Sequence, residues 1–184
     1  MLYNVSMISN FSNPKENIKY LNLNEGDVVA DFGSGSGHYI YPLSEIVGEN
    51  GKVYGVDIQK SLLMKIQSDL IQKSIQNIEI IWGNVEKPGG SKIREGSLNA
   101  LVASNILFQV EDKKGFVDEC FRVLKKGGQL LLVDWTESFG GLGPQPGHVV
   151  DEKTAQSFFE EAGFVLKESV PAGSHHYGMI LKKN

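Results

Sequence analysis

The stretch from Val28 to His38, Val-Val-Ala-Asp-Phe-Gly-Ser-Gly-Ser-Gly-His, constrains this chain more than any other. A short apolar run ends in Asp31, and three alternating glycines follow at Gly33, Gly35 and Gly37. Glycine is needed where the backbone turns through positive φ, or where a ligand must touch main chain. An apolar run, a glycine turn and then helical periodicity read as strand, turn and helix. In an open α/β sheet, a ligand held by such a turn lies over the carboxyl end of the strands, beside the first crossover.

The rest of the chain keeps that alternation. Strand-like segments run over 26–32, 52–57, 78–82, 97–104 and 127–135, with a last pair at 164–170 and 177–183. Helical periodicity falls between them, over 38–47, 59–73, 113–124 and 151–162. Asn13 and Pro14 mark a helix start near the N-terminus, as N-cap and first helical residue. Gly127-Gly128 is expected to end the fourth helix and open the fifth strand. Helix-linked strands are parallel with right-handed crossovers, which defines an α/β fold. The last two strands are too close in sequence for a crossover and are expected to form an antiparallel hairpin. At 184 residues the chain is one domain's worth, with residues 1–25 as a helical cover or flap to which Phe11 and Tyr20 belong.

The charges near the glycines discriminate between ligands. Dinucleotides usually sit over G-x-G-x-x-G, with a helix N-terminus facing the pyrophosphate. Here the spacing is G-x-G-x-G and Asp31 lies two residues before the first glycine. A carboxylate there repels a pyrophosphate and suits a cationic amino-acid end. S-adenosylmethionine carries an ammonium and a sulfonium and no phosphate. Asp57 ends the second strand, 20 residues after Gly37. A carboxylate at that place accepts both hydroxyl hydrogens of a ribose. Ribose occurs in both ligands, so Asp57 points to a nucleoside without choosing between them.

These segments resemble class I S-adenosylmethionine-dependent methyltransferases along nearly the whole chain. DFGSGSG resembles their first motif and GVDIQ their ribose-binding acidic loop. WGNVEKP resembles the segment that passes the adenine, NALVASNILFQVEDK the strand-four motif, and FRVLKKGGQLLLVDW the following helix and strand five. The nearest resemblance is to the small enzymes of the ubiquinone/menaquinone-biosynthesis group. It implies a Rossmann-like, mostly parallel seven-stranded sheet of order 3-2-1-4-5-7-6, strand seven antiparallel, with helices on both faces. It also implies a cofactor set. Asp31, Gly33, Ser34 and Gly35 line the methionine part, with Gly37 and His38 nearby, and Ser104 and Asn105 complete it. Asp57 holds the ribose. Ile58 and Val85 flank the adenine, and Gly83 and Asn84 run along its edge. Asn84 and Asn99 stand where the family often has acidic residues.

Methyl transfer from a sulfonium mainly needs the acceptor held in line behind the methyl. An acceptor that must lose a proton also needs a base. Asp134, at the end of strand five, and His148 and His176, in later loops, are the base candidates, with His175 beside the last. Phe108, Trp135 and Phe139 could wall an aromatic pocket. No metal is expected: adjacent histidines on a strand point to opposite faces, and Asp134 has no acidic companion. The net charge of −4 gives no footprint for a phosphate backbone, so a nucleic-acid partner is disfavoured. Cys120, the single cysteine, reads as a core residue of an amphipathic helix. No apolar run approaches the ~20 residues of a membrane span, and the expected location is cytoplasmic. The expected function is methylation of a small molecule, releasing S-adenosylhomocysteine, by a monomer or homodimer. Methylation of RNA or protein, a nicotinamide-dependent oxidoreductase, and a cofactor binder without transferase activity are the alternatives.

Overall fold

The computed structural model describes residues 12–139, 141 and 143–184. Phe11 lies outside them. Helix α1 (Pro14–Asn17) leads through a 3-10 turn (Ile18–Leu21) to β1 (Val28–Phe32). Then come α2 (Ile40–Val47), β2 (Lys52–Asp57), α3 (Lys60–Gln72), β3 (Ile78–Trp82) and β4 (Leu98–Ser104). The chain continues through α4 (Lys113–Val123), β5 (Leu124–Trp135), a 3-10 turn (Pro146–His148), α5 (Glu152–Glu161), β6 (Phe164–Pro171) and β7 (His176–Lys183).

The strands form one sheet of order β3-β2-β1-β4-β5-β7-β6. β7 runs antiparallel to β5 and β6, and the other pairs are parallel. This is the Rossmann-like arrangement that the resemblance implied. Among the described residues, no helix is long and apolar enough to cross a membrane.

Alternation along the strands gives the sheet two apolar faces. Val29, Val102, Val133 and Ile180 pack with Ile40 and Leu43 of α2 and Ile66 of α3. Ala30, Leu101, Leu132 and Met179 pack with Phe116 and Cys120 of α4 and Phe159 of α5. Cys120 is fully buried there, as its helix periodicity predicted. The period of two then carries to the strand ends. Asp31, Asp57, Ser104 and His176 fall on the α2/α3 side, and Asp134 and Tyr177 on the α4/α5 side.

Two boundaries differ from the sequence reading. The helix expected from His38 starts at Ile40, because Gly37, at φ +88°, donates to the Ser34 carbonyl and keeps the turn open. Helix α4 ends at Val123, four residues before the glycine pair. Lys183 Nζ donates to the carbonyls of Phe121 and Leu124, so the helix end is satisfied without a glycine cap. Leu124 is already paired with Leu98, and Gly127, at φ +80°, serves the register shift between Leu98 and Ala100.

Candidate cofactor cleft

The glycine loop is fastened to the end of β2. The amides of Gly33 and Ser34 donate to the Val56 carbonyl at 2.8 and 3.1 Å. Asp57 spends one lone pair of each oxygen on backbone. Oδ2 accepts from Gly35 N–H and Oδ1 from Gln59 N–H, both at 2.8 Å. Each oxygen keeps a second lone pair for a ligand. A Cβ added to Gly33 would come within 2.6 Å of the Ile106 side chain, so loop and post-β4 turn are in close contact.

At one end of the cleft, Asp31, Ser34, His38, Ser104 and Asn105 line a hollow. Asp31 is 2% exposed, and among the described residues nothing donates a hydrogen bond to its carboxylate or forms an ion pair with it. Burial first, and then the negative charge of Asp57, push its pKa well above the usual carboxylate range. Ser34 Oγ and Asn105 Oδ1 are buried without a hydrogen-bond partner among the described residues. Asn105 holds a left-handed backbone, φ +55°. Residues 12–21 form part of this wall. Ser12 and Pro14 line the hollow, Asn17 Nδ2 donates to Tyr39 at 2.9 Å, and Ile18 and Leu21 are buried against the sheet.

At the other end, Asp57, Ile58, Gly83, Asn84 and Val85 face Asn105 and Gln109. Ile58 is 60% exposed, a large apolar side chain at the mouth of a cleft. Asn84 Oδ1 accepts from Glu86 N–H at 2.9 Å, which holds the loop and leaves its second lone pair. The whole 83–93 loop is anchored on α4. Glu119, 1% exposed, accepts from Gly89 N–H at 2.8 Å, Ser91 Oγ at 2.5 Å and Arg122 Nε at 2.8 Å.

This donor and acceptor set fits S-adenosylmethionine. A buried carboxylate takes up a proton or pairs with a cation, and the amino-acid end supplies a cation. The orphaned Ser34 Oγ and Asn105 Oδ1 lie where that end would bind, and the exposed face of Ile58 suits a flat base. A pyrophosphate would meet Asp31 and Asp57 together.

Comparison with known proteins agrees. A family profile described as "Methyltransferase domain" matches residues 23–182. The chain belongs to that family. The human protein "Arsenite methyltransferase" is 36% identical over 112 residues, 58% of this chain and 30% of its own length. "Demethylmenaquinone methyltransferase" of Oceanobacillus iheyensis is 28% identical over 124 residues, 67% of this chain and 50% of its own. This chain thus spans half or less of those two relatives. A S-adenosylmethionine-dependent methyltransferase from Aquifex aeolicus superposes with a TM-score of 0.85, covering 100% of both chains at 24% identity, a likeness of fold.

The base candidates that the sequence offered lie at and after the end of β5 and at the start of β7. Trp135 pairs with His176, so the β6–β7 connection is at the same sheet edge as the glycine loop. His176 is 6% exposed and stacks on Trp135 with centroids 4.3 Å apart. Both its ring nitrogens lack a hydrogen-bond partner among the described residues. Burial, then the neighbouring His175, lower its pKa to about 4. His175 turns elsewhere: it lies 2.9 Å from Glu137 and stacks on Phe139. His148 is exposed on its 3-10 turn. Asp134 is buried on the opposite sheet face and accepts from Leu107, Phe108 and Trp135 amides.

Sequence reasoning missed Ile106, Gln109 and Glu119. Ile106 and Gln109 line the cleft, and Gln109 Nε2 donates to the Asn105 carbonyl at 2.7 Å. The i,i+4 spacing of Asn105 and Gln109 was the available signal. Glu119 carried one only as a charge on an otherwise apolar helix face.

Proposed function

We propose that this chain is the catalytic domain of an S-adenosylmethionine-dependent methyltransferase acting on a small molecule. The supporting observation is Asp31, a buried carboxylate that lines the cleft and has no cation beside it among the described residues. When bound, the cofactor supplies a sulfonium-activated methyl. The chain's own residues then have three tasks. Asp57 and the glycine loop hold the ribose side, Asp31 and Asn105 orient the cationic end, and His176 faces the acceptor. The His176 pKa of about 4 keeps the imidazole neutral at neutral pH and makes it a weak base, suited to accepting a hydrogen bond that orients the acceptor. His148, on its exposed turn, is a second candidate for that task, open to solvent.

The relatives' printed names favour a small acceptor. Arsenite itself is disfavoured for this chain. A soft centre prefers thiolate ligands, and the single thiol, Cys120, is fully buried on α4 within the core. RNA is disfavoured by the net charge of −4.

Titration calorimetry with S-adenosylmethionine, S-adenosylhomocysteine and NAD tests the reading. Binding of the first two and not the third is expected. Binding of NAD alone overturns it. A screen of small hydroxy and amino compounds that follows S-adenosylhomocysteine release then identifies the acceptor.

A further inference from the structure

We propose that Asp134 is a positioning residue for the cofactor cleft: its carboxylate clamps the turn after β4 so that Asn105, Ile106 and Gln109 stand at the correct distance from the glycine loop. This rests on the cofactor reading above. Asp134 points to the α4/α5 side of the sheet, beneath that turn. Its Oδ2 accepts from Leu107 N–H at 2.8 Å and Phe108 N–H at 3.4 Å, and its Oδ1 from Trp135 N–H at 2.8 Å. Val133, one residue earlier, accepts from Asn105 N–H at 2.8 Å. The end of β5 thus holds both ends of a turn that contains a left-handed Asn105.

That turn is one wall of the cleft. Its Ile106 lies against Gly33, where an added Cβ would come within 2.6 Å of the end of that side chain. A small shift of the turn therefore alters the gap between Asn105 and the glycine loop. A carboxylate meets the need because both its oxygens face N–H donors. An amide can offer an oxygen to one set only and turns its NH2 on the other. An Asp134 so engaged also has little freedom to take a proton from an acceptor.

The groups facing Asp134 are Lys113 on α4 and Tyr177 on β7, with Asp151 and Glu152 acting on Tyr177 from the start of α5. Burial raises the Asp134 pKa to about 6, opposed by the three amides and by Lys113. Protonation removes acceptor capacity from the clamp, so cofactor affinity should fall as pH drops through that value.

The test measures S-adenosylhomocysteine affinity by calorimetry between pH 5 and 7.5 for wild type, Asp134→Asn and Phe159→Leu. Wild type is expected to bind at pH 7.5 and weaken below about pH 6. Asp134→Asn is expected to bind about tenfold more weakly and to lose the step in that pH dependence near pH 6, the titration of Asp31 remaining. Phe159→Leu, a core change on the same face, should leave affinity unchanged. An Asp134→Asn protein with wild-type affinity, or with a wild-type pH profile, overturns the proposal. If that variant does not fold, wild-type amide resonances decide. Leu107 and Phe108 should titrate together near pH 6 and shift on S-adenosylhomocysteine binding, and their failure to titrate overturns the clamp. A wild type that does not bind S-adenosylhomocysteine at all overturns the cofactor reading instead, and the clamp's purpose with it.

Discussion

Asp57 was legible in the sequence because its chemistry and its place coincide. A carboxylate at the end of a strand, 20 residues beyond a glycine turn, has few other uses. The structure adds a task that spacing cannot show, since Asp57 also holds Gly35 and Gln59 amides. Asp57→Ala therefore removes the proposed ribose acceptor and loosens the glycine loop at once. Each charge-assisted bond is worth roughly 1.5–3 kcal/mol, so S-adenosylhomocysteine affinity should fall by at least about tenfold. Calorimetry on the variant checks this, and unchanged affinity would defeat the ribose assignment. Asp31 was legible by charge sign alone; its isolation from any partner was not. Asn105 lines the cleft, and its positive φ and its Oδ1, unpartnered among the described residues, depend on contacts from β5, remote in sequence.

Among the elements, α4 contributes to the cleft without lining it at Glu119. Glu119 ties Gly89, Ser91 and Arg122 together, and its four hydrogen-bond donors lower its pKa against the opposing effect of burial. The loop it holds carries Gly83, Asn84 and Val85 at the cleft. That loop is tight: a Cβ on Gly90 would lie 1.9 Å from the Asn84 carbonyl oxygen. Glu119→Gln breaks a buried charged network, a change that destabilises by about 3 kcal/mol. It should also weaken S-adenosylhomocysteine binding, because Asn84 and Val85 lose their support. Asp151→Ala is the comparison. Asp151 caps α5 by accepting from Lys153 and Thr154 amides, so its loss should reduce stability and leave binding intact. Urea denaturation and calorimetry on both variants separate the two effects; equal binding losses would remove the special role of Glu119. Element order was legible because period-two and period-3.6 patterns alternate cleanly. The end of α4 was not, because Lys183, 60 residues after Val123, satisfies its carbonyls.

For the molecule as a whole, the sheet order brings residues from every part of the chain to one edge, and their ionisation is linked to folding. Asp31 and Asp134 have raised pKa values, so the stability they contribute is present at low pH and is lost as pH rises through their folded values. His176 acts in the opposite sense. Its pKa is lowered to about 4, so an unfolded chain binds a proton near pH 6.5 that the folded chain refuses. Its contribution is present above pH ~6.5 and is lost as pH falls toward 4. Over that window Asp134, raised to about 6, changes in the other direction and partly offsets it. Replacing the imidazole isolates one side of this balance. His176→Gln keeps a polar group of similar size and removes the titration. The stability difference between wild type and His176→Gln should therefore shift by about 3 kcal/mol between pH 6.5 and 4, against wild type on acidification. Urea midpoints at half-unit pH intervals measure it. A difference that stays constant with pH would mean that His176 has the same pKa in the folded and unfolded chain, and that burial does not hold its imidazole neutral.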